Sequence, residues 1–118
     1  MNWVGYGNST LTGSREISQR RIGYNQIYGT FNHTDADGSS RKLIVWQAPE
    51  AKIEINSALS GHGDSGAGVF NDEGEVIGVV SSISRSAFEY NAGEGRVYRS
   101  YAADLSDDLV RSWILDNI

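Results

Sequence analysis

The sequence contains no cysteine, and this absence removes several kinds of chemistry at once. Disulfide bridges, zinc sites built on thiolates and a cysteine nucleophile are all excluded. Proline occurs once and glycine 14 times, so turns must depend on glycine, asparagine and aspartate. No apolar run approaches the roughly 18 residues that a membrane-spanning helix needs. The sequence therefore predicts no membrane partner.

Basic residues are scarce as well. Lys and Arg number 10 against 15 Asp and Glu, which gives a net charge of -5 at pH 7. Because phosphate contacts need clustered Lys and Arg, this balance argues against nucleic acid as the main partner. The opening residues lack the basic region and apolar stretch of a signal peptide. The length of 118 residues and the hydrophobic fraction of 39% predict one globular domain, residues 1–118.

The hydrophobic pattern is that of short strands almost throughout. Two hairpins are predicted, with arms at 28–32 and 42–46 and at 67–70 and 75–80, because glycine-containing turns separate the arms. Single strands are predicted at 3–7, 52–55 and 95–101, and 15–27 alternates loosely. The strand count is six or so, which predicts an all-β chain folded as a small antiparallel barrel or sandwich.

Only the end of the chain has a helical pattern. Five apolar residues recur there at helical spacing: Leu109, Val110, Trp113, Ile114 and Ile118. They predict one C-terminal helix at about 106–118, with Asp104 or Ser106 as its cap and acidic residues near its positive N-terminus.

The segment most indicative of chemistry is 61–68, Gly-His-Gly-Asp-Ser-Gly-Ala-Gly. Four glycines let its backbone adopt positive φ and approach a ligand closely. Amide cleavage needs an exposed oxygen nucleophile and N–H groups aimed at the developing oxyanion. Ser65 is the candidate nucleophile, and the N–H groups of Gly63 and Ser65 are the candidate oxyanion hole. The alternative is that Gly-Asp-Ser-Gly is only a tight turn between strands.

The segment 63–66 resembles the nucleophile motif of the trypsin-like serine peptidases, which have the chymotrypsin fold. Its surroundings agree: 74–82 is similar to the strand that follows the nucleophile, 95–99 to a late strand, and 109–118 to the terminal helix. The resemblance covers only the C-terminal half of the family's double barrel. It implies an antiparallel six-stranded barrel with one C-terminal α-helix, a serine endopeptidase acting on polypeptides, and no metal or cofactor. It also implies a secreted or periplasmic protein.

A serine hydroxyl needs a base, and in this family the His and Asp of the triad come from the first barrel, which precedes this half. The chain has two histidines. His62 is expected at the cleft entrance, where it contacts substrate, and His33 on the surface beside a hairpin turn. We therefore expect a complementary first-barrel chain or segment as a partner, and essentially no activity from this chain alone.

The resemblance also gives roles to residues around the nucleophile. Asp64 corresponds to the carboxylate that receives a new N-terminal ammonium after precursor cleavage; binding of local groups, or an exposed turn, are the alternatives. Leu59 corresponds to the base of the primary pocket, which disfavours basic side chains there. Ser81, Ser82 and Ile83 would line the pocket wall and pair with the substrate backbone.

A second function class stays open. A lone half would expose the face that normally contacts the other barrel, and such a patch favours association. The chain would then be a catalytically inactive, peptidase-like binding or assembly module, or a homodimer.

Overall fold

The computed structural model describes residues 1–6, 20–49, 58–61, 63–84, 90–91 and 95–118. Within them it has eight strands and one helix: β1 Asn2–Gly5, β2 Arg21–Tyr24, β3 Gly29–Thr34, β4 Ser40–Pro49, β5 Gly68–Phe70, β6 Val76–Ser84, β7 Tyr90–Asn91, β8 Gly95–Asp104 and α1 Asp108–Asp116. The expected strand at 52–55 lies outside the described residues. The mostly β architecture with one C-terminal helix is confirmed.

Seven strands form one antiparallel sheet in the order β2-β1-β5-β6-β8-β4-β3, and β7 pairs with β8. Both predicted hairpins, β3–β4 and β5–β6, are present. The second is closed by Asn71, whose side-chain oxygen accepts the N–H groups of Glu73 and Glu75 at 3.0 and 2.9 Å. Gly74 follows at φ +83°, a conformation that glycine adopts without strain.

The sheet is strongly curved, because its two edge strands are neighbours along the chain. A flat sheet of seven strands would separate β2 from β3 by about 29 Å. The chain from Tyr24 to Gly29 can span at most about 18 Å. Among the described residues, however, no ladder joins β2 to β3, so the sheet is not closed and the predicted six-stranded barrel is not confirmed.

The core cluster lies on one face of this sheet. It contains Trp3, Ile44, Trp46, Val69, Val80 and Ala102. The rings of Trp3 and Trp46 are 5.1 Å apart and tilted by 45°. These residues come from five strands, so the core fixes the curvature that brings the functional loop beside β1 and β6.

Helix α1 begins two residues later than predicted and has a different cap. Asp107 is the N-cap, and its carboxylate accepts the N–H of Leu109 at 3.1 Å. The predicted cap Asp104 instead accepts the N–H and hydroxyl of Ser106. Asp107 also accepts the N–H of Lys42 at 2.7 Å, so one carboxylate joins α1 to β4. In the described part of the chain, no helix is long and apolar enough to cross a membrane.

We expect the carboxylate of Asp107 to make stability depend on pH. The N–H of Lys42 first, and then that of Leu109, hold the pKa of Asp107 below its ordinary 3.8. A lowered folded-state pKa contributes stability above the unfolded-state pKa, and this is lost as the pH falls through the folded-state value. Urea denaturation between about pH 6 and pH 2 should therefore show a smaller loss for Asp107→Asn than for the unmodified chain.

The exposed neighbour Asp108 supplies the control for this measurement. Asp108→Asn removes the same charge from the first turn and leaves the bonds to Lys42 and Leu109 in place. Its acid-induced loss should follow that of the unmodified chain. Equal losses for Asp107→Asn and Asp108→Asn would contradict the role given to Asp107.

Candidate active site

The segment that precedes the candidate nucleophile is anchored to the middle of the sheet. The N–H of Ser60 and its hydroxyl both donate to Oγ of Ser100 on β8, at 3.0 and 2.9 Å. Both serines are buried, and Ser100 is fully so. Because a buried hydroxyl without a partner is costly, this pair fixes where the segment leaves the core.

The buried side chain of Asp64 holds the loop that contains Gly61 in place. Asp64 is 7% exposed, and its Oδ2 accepts the N–H of Gly61 at 2.8 Å. Oδ1 lies against Gly5 of β1, where a Cβ would overlap the carboxylate. The alternative that Asp64 is an exposed turn residue is therefore wrong, and Gly61 is one of the local groups it binds. The amino group of Met1 contacts Asn25 and Asp72.

Two glycines bend the backbone around Ser65. Gly63 has φ +96° and Gly66 has φ +89°, both in the left-handed region that favours glycine. The N–H of Gly66 donates to the carbonyl of Val80 on β6 at 2.9 Å, and the N–H of Ala67 donates to the carbonyl of Asp64 at 3.0 Å. Ser65 is therefore exposed on a short turn. Hydrogen bonds join the chain to the sheet before this turn, at Ser60, and after it, at Gly66.

The N–H groups of Gly63 and Ser65 are the predicted oxyanion donors. Neither donates a hydrogen bond to any residue that the structure describes, whereas the N–H groups of Asp64, Gly66 and Ala67 all do. Both residues are exposed. Stabilisation of a developing oxyanion requires N–H groups beside the hydroxyl that no other acceptor occupies, and toward the described residues both N–H groups meet this condition.

The hydroxyl of Ser65 has no base beside it among the described residues. Its Oγ donates to the carbonyl of Ser81 at 3.5 Å, the outer limit for a hydrogen bond. A carbonyl oxygen does not accept the proton outright, so this contact orients the hydroxyl without activating it. His33 pairs with Asp35 at 3.3 Å and no hydrogen bond joins it to Ser65. His62 lies outside the described residues.

The residues expected to form the substrate pocket are on two faces of the sheet. Ser81 and Ser82 are exposed, with a β-bulge between Val80 and Ser82. Ile83 is half-buried and pairs with Ser100, on the core side. Leu59 is half-buried and packs against the core cluster. Their roles toward substrate remain predictions.

Some contacts of the site carry a sequence signal and others do not. Glycine within a strand is typical of a close backbone approach, and Gly5 makes one, to Asp64. The bond between Ser60 and Ser100 joins residues 40 apart and had no local signal. His33 lies opposite Arg41 in the ladder between β3 and β4. The register of the predicted hairpin is the sequence signal for this pair.

Two further observations concern metal binding and similarity to known proteins. Among the described residues, no group of three or more His, Cys, Asp or Glu side chains lies close enough together to hold a metal ion. No protein-family model matches the chain, no curated protein matches its sequence, and no solved structure matches its fold.

Proposed function

We propose that the chain carries the nucleophile and the oxyanion hole of a trypsin-like serine endopeptidase. The observation that carries this proposal is the exposed Ser65 on a fastened glycine turn, beside two N–H groups without partners in the described structure. A tight turn alone needs neither an exposed hydroxyl nor two N–H groups that donate to no described residue. The strong curvature of the sheet supports a barrel of the kind that the proposal implies.

The reaction assigns one step to each group. Ser65 Oγ attacks the peptide carbonyl carbon, and the N–H groups of Gly63 and Ser65 bind the oxygen as it becomes negative. The hydroxyl proton goes to a histidine, which an aspartate orients. This pair comes from a complementary first-barrel chain or segment, since the carbonyl of Ser81 cannot take the proton. By the same resemblance, the protein acts outside the cytoplasm.

A fluorophosphonate probe with imidazole as a soluble base tests the proposal. Ser65 Oγ attacks phosphorus, fluoride leaves, and imidazole takes the hydroxyl proton. Because loss of one oxyanion donor costs about 10²-fold or more, Ser65 should react about 10²-fold faster than other exposed serines. Peptide mass spectrometry locates the adduct and gives its rate.

Two variants make the result specific. Ser65→Ala should abolish the fast labelling. Ser112→Ala removes another exposed hydroxyl, on α1, and should leave the labelling of Ser65 unchanged. Labelling that is equally slow at Ser65 and Ser112 at every imidazole concentration would contradict the proposed function.

The exposed apolar side chains of α1 favour a second candidate, a binding or assembly module. Leu109, Trp113 and Leu115 are each about two-thirds exposed, at 66%, 67% and 64%. Leu109 and Trp113 are four residues apart and therefore lie on one side of α1, and an exposed apolar patch is typical of association surfaces. Native mass spectrometry distinguishes the cases: a stable dimer that dissociates in Trp113→Asp, with no fast labelling of Ser65, supports the module.

A further inference from the structure

The face of the sheet opposite the core carries a groove that the proposed chemistry does not use. Direct partners in an antiparallel ladder place their side chains on the same face. Val45 pairs with Tyr101, and Tyr101 pairs with Ser82, so these three share a face. Their chain neighbours Ile44, Trp46 and Ala102 belong to the core on the other side. We call the face of Val45, Tyr101 and Ser82 the outer face.

Two adjoining cavities on the outer face form one groove. One has a volume of about 250 Å³ and the other about 470 Å³. Both are lined by Phe31 and Tyr101, whose rings lie 5.6 Å apart in an edge-to-face arrangement. Buried Leu43 and Val45 form the floor. We call this pair of cavities the outer groove.

An arginine lines each cavity of the outer groove, although the chain as a whole is acidic. Arg41 lines the smaller cavity and Arg99 the larger one. Arg99 lies 5.3 Å from the ring centre of Tyr28 and donates to the side chain of Gln47 at 3.1 Å. An apolar floor between two guanidinium groups suits a ligand that alternates carboxylates with apolar side chains.

One carboxylate, that of Asp35, lies at the Arg41 end. It accepts from Nη2 of Arg41 at 3.2 Å and pairs with Nε2 of His33 at 3.3 Å. This contact uses one of the five N–H donors of the guanidinium, and no other described residue accepts from the rest. Burial raises the pKa of Tyr101 above its ordinary 10.0, so the phenol on the floor is neutral at pH 7 and does not repel an acidic ligand.

The outer groove also meets the candidate nucleophile. Ser81 lines the smaller cavity, and its carbonyl accepts the hydroxyl of Ser65. Arg41 of β4 lines the same cavity as Ser81 of β6. A peptide cleaved at Ser65 would therefore place part of its chain in the cavity beside Arg41.

We propose that the outer groove binds an acidic segment of a polypeptide, with carboxylates at Arg41 and Arg99 and an apolar side chain over Phe31 and Tyr101. That this polypeptide is the substrate rests on the proposed function; the binding itself does not. A nucleic acid also has negative charge and stacking groups, but it carries a phosphate at every nucleotide, and phosphate contacts need more clustered basic residues than the two arginines of the groove.

Fluorescence anisotropy with a labelled ten-residue peptide of alternating Glu and Phe tests the groove directly. The full chain carries Ser65→Ala, so that no hydrolysis interferes. The Glu peptide should bind about 10-fold tighter than a matched Gln peptide at low salt, and the difference should shrink as salt screens the exposed charges. Arg41→Gln should weaken the Glu peptide about 5-fold to 10-fold. Tyr28→Ala, at the other end, should weaken both peptides.

Arg20→Gln is the matched control, because Arg20 is exposed and does not line the groove. It should leave the affinity unchanged. Equal affinity for the Glu and Gln peptides, equal effects of Arg41→Gln and Arg20→Gln, or tighter binding of a single-stranded oligonucleotide of equal charge would each overturn the inference. Slow labelling of Ser65 together with Glu-selective binding would overturn the proposed function and leave the groove's assignment intact.

Discussion

Replacing Trp46 by alanine should lower the free energy of unfolding by about 3–5 kcal/mol, the largest single effect we expect. Trp46 is fully buried on β4, in contact with the ring of Trp3 and at the centre of the core cluster. Domains of this size are stable by about 5–15 kcal/mol, so much of the margin would be lost. Urea denaturation followed by circular dichroism measures the change.

Trp113 gives a control of identical chemistry. Its side chain is 67% exposed on α1, so Trp113→Ala should change the free energy of unfolding by about 0.5 kcal/mol or less. Trp46→Phe should cost much less than Trp46→Ala, because phenylalanine keeps an aromatic ring in the core. It also removes Nε1 of Trp46, which is buried without a partner among the described residues. Removing an unsatisfied donor offsets part of the lost packing. Equal effects of Trp46→Ala and Trp113→Ala would contradict this assignment of the core.

Replacing Gly5 by alanine should lower the free energy of unfolding by about 1–3 kcal/mol and slow the labelling of Ser65. The new Cβ would overlap the carboxylate of Asp64, which holds the turn of the candidate site through Gly61. Either β1 or the loop must shift, and a shifted loop misplaces the oxyanion donors. Denaturation and the fluorophosphonate rate measure the two effects.

Gly29→Ala is the matched control for this change. Gly29 begins β3, and a Cβ there would meet nothing within 4 Å. Since alanine also restricts the unfolded chain, Gly29→Ala should be neutral or slightly stabilising and should leave the labelling rate unchanged. Normal labelling in Gly5→Ala would show that the contact with Asp64 does not position the turn.

The hairpins and the helix were predictable because their signals are local. The turn at 71–74 contains the asparagine and glycine that its hydrogen bonds and positive φ require. The sheet order, and the lack of a ladder between β2 and β3 among the described residues, were not predictable, because they depend on pairings between distant strands such as β4 and β8. The cap of α1 was misassigned because Asp104, Ser106 and Asp107 are all good caps, and only the N–H of Lys42 favours Asp107.

For the site, the glycine spacing predicted an exposed Ser65, and Ser65 is exposed in the structure. The N–H groups of Gly63 and Ser65 donate to no described residue, and their role as oxyanion donors stays a prediction. The sequence left open whether Asp64 is buried or exposed. A carboxylate in a turn is buried only if another part of the chain packs against it. Here that is β1, which lies far from the turn in sequence. The outer groove was missed for the same reason: its residues come from four strands, and each strand shows only alternation.

The pairing of β4 with β8 has a consequence for how the molecule forms. Leu43 lies opposite Ala103, more than half the chain away, and β8 also pairs with β6. Sheets dominated by such non-local pairs fold slowly, on the millisecond to second scale, because a large loop must close before the contacts repay its entropy. During synthesis, β4 leaves the ribosome well before its partner exists. The edges of β4 and β6 then stay open to other chains until β8 arrives, so aggregation in this interval is the main hazard of production.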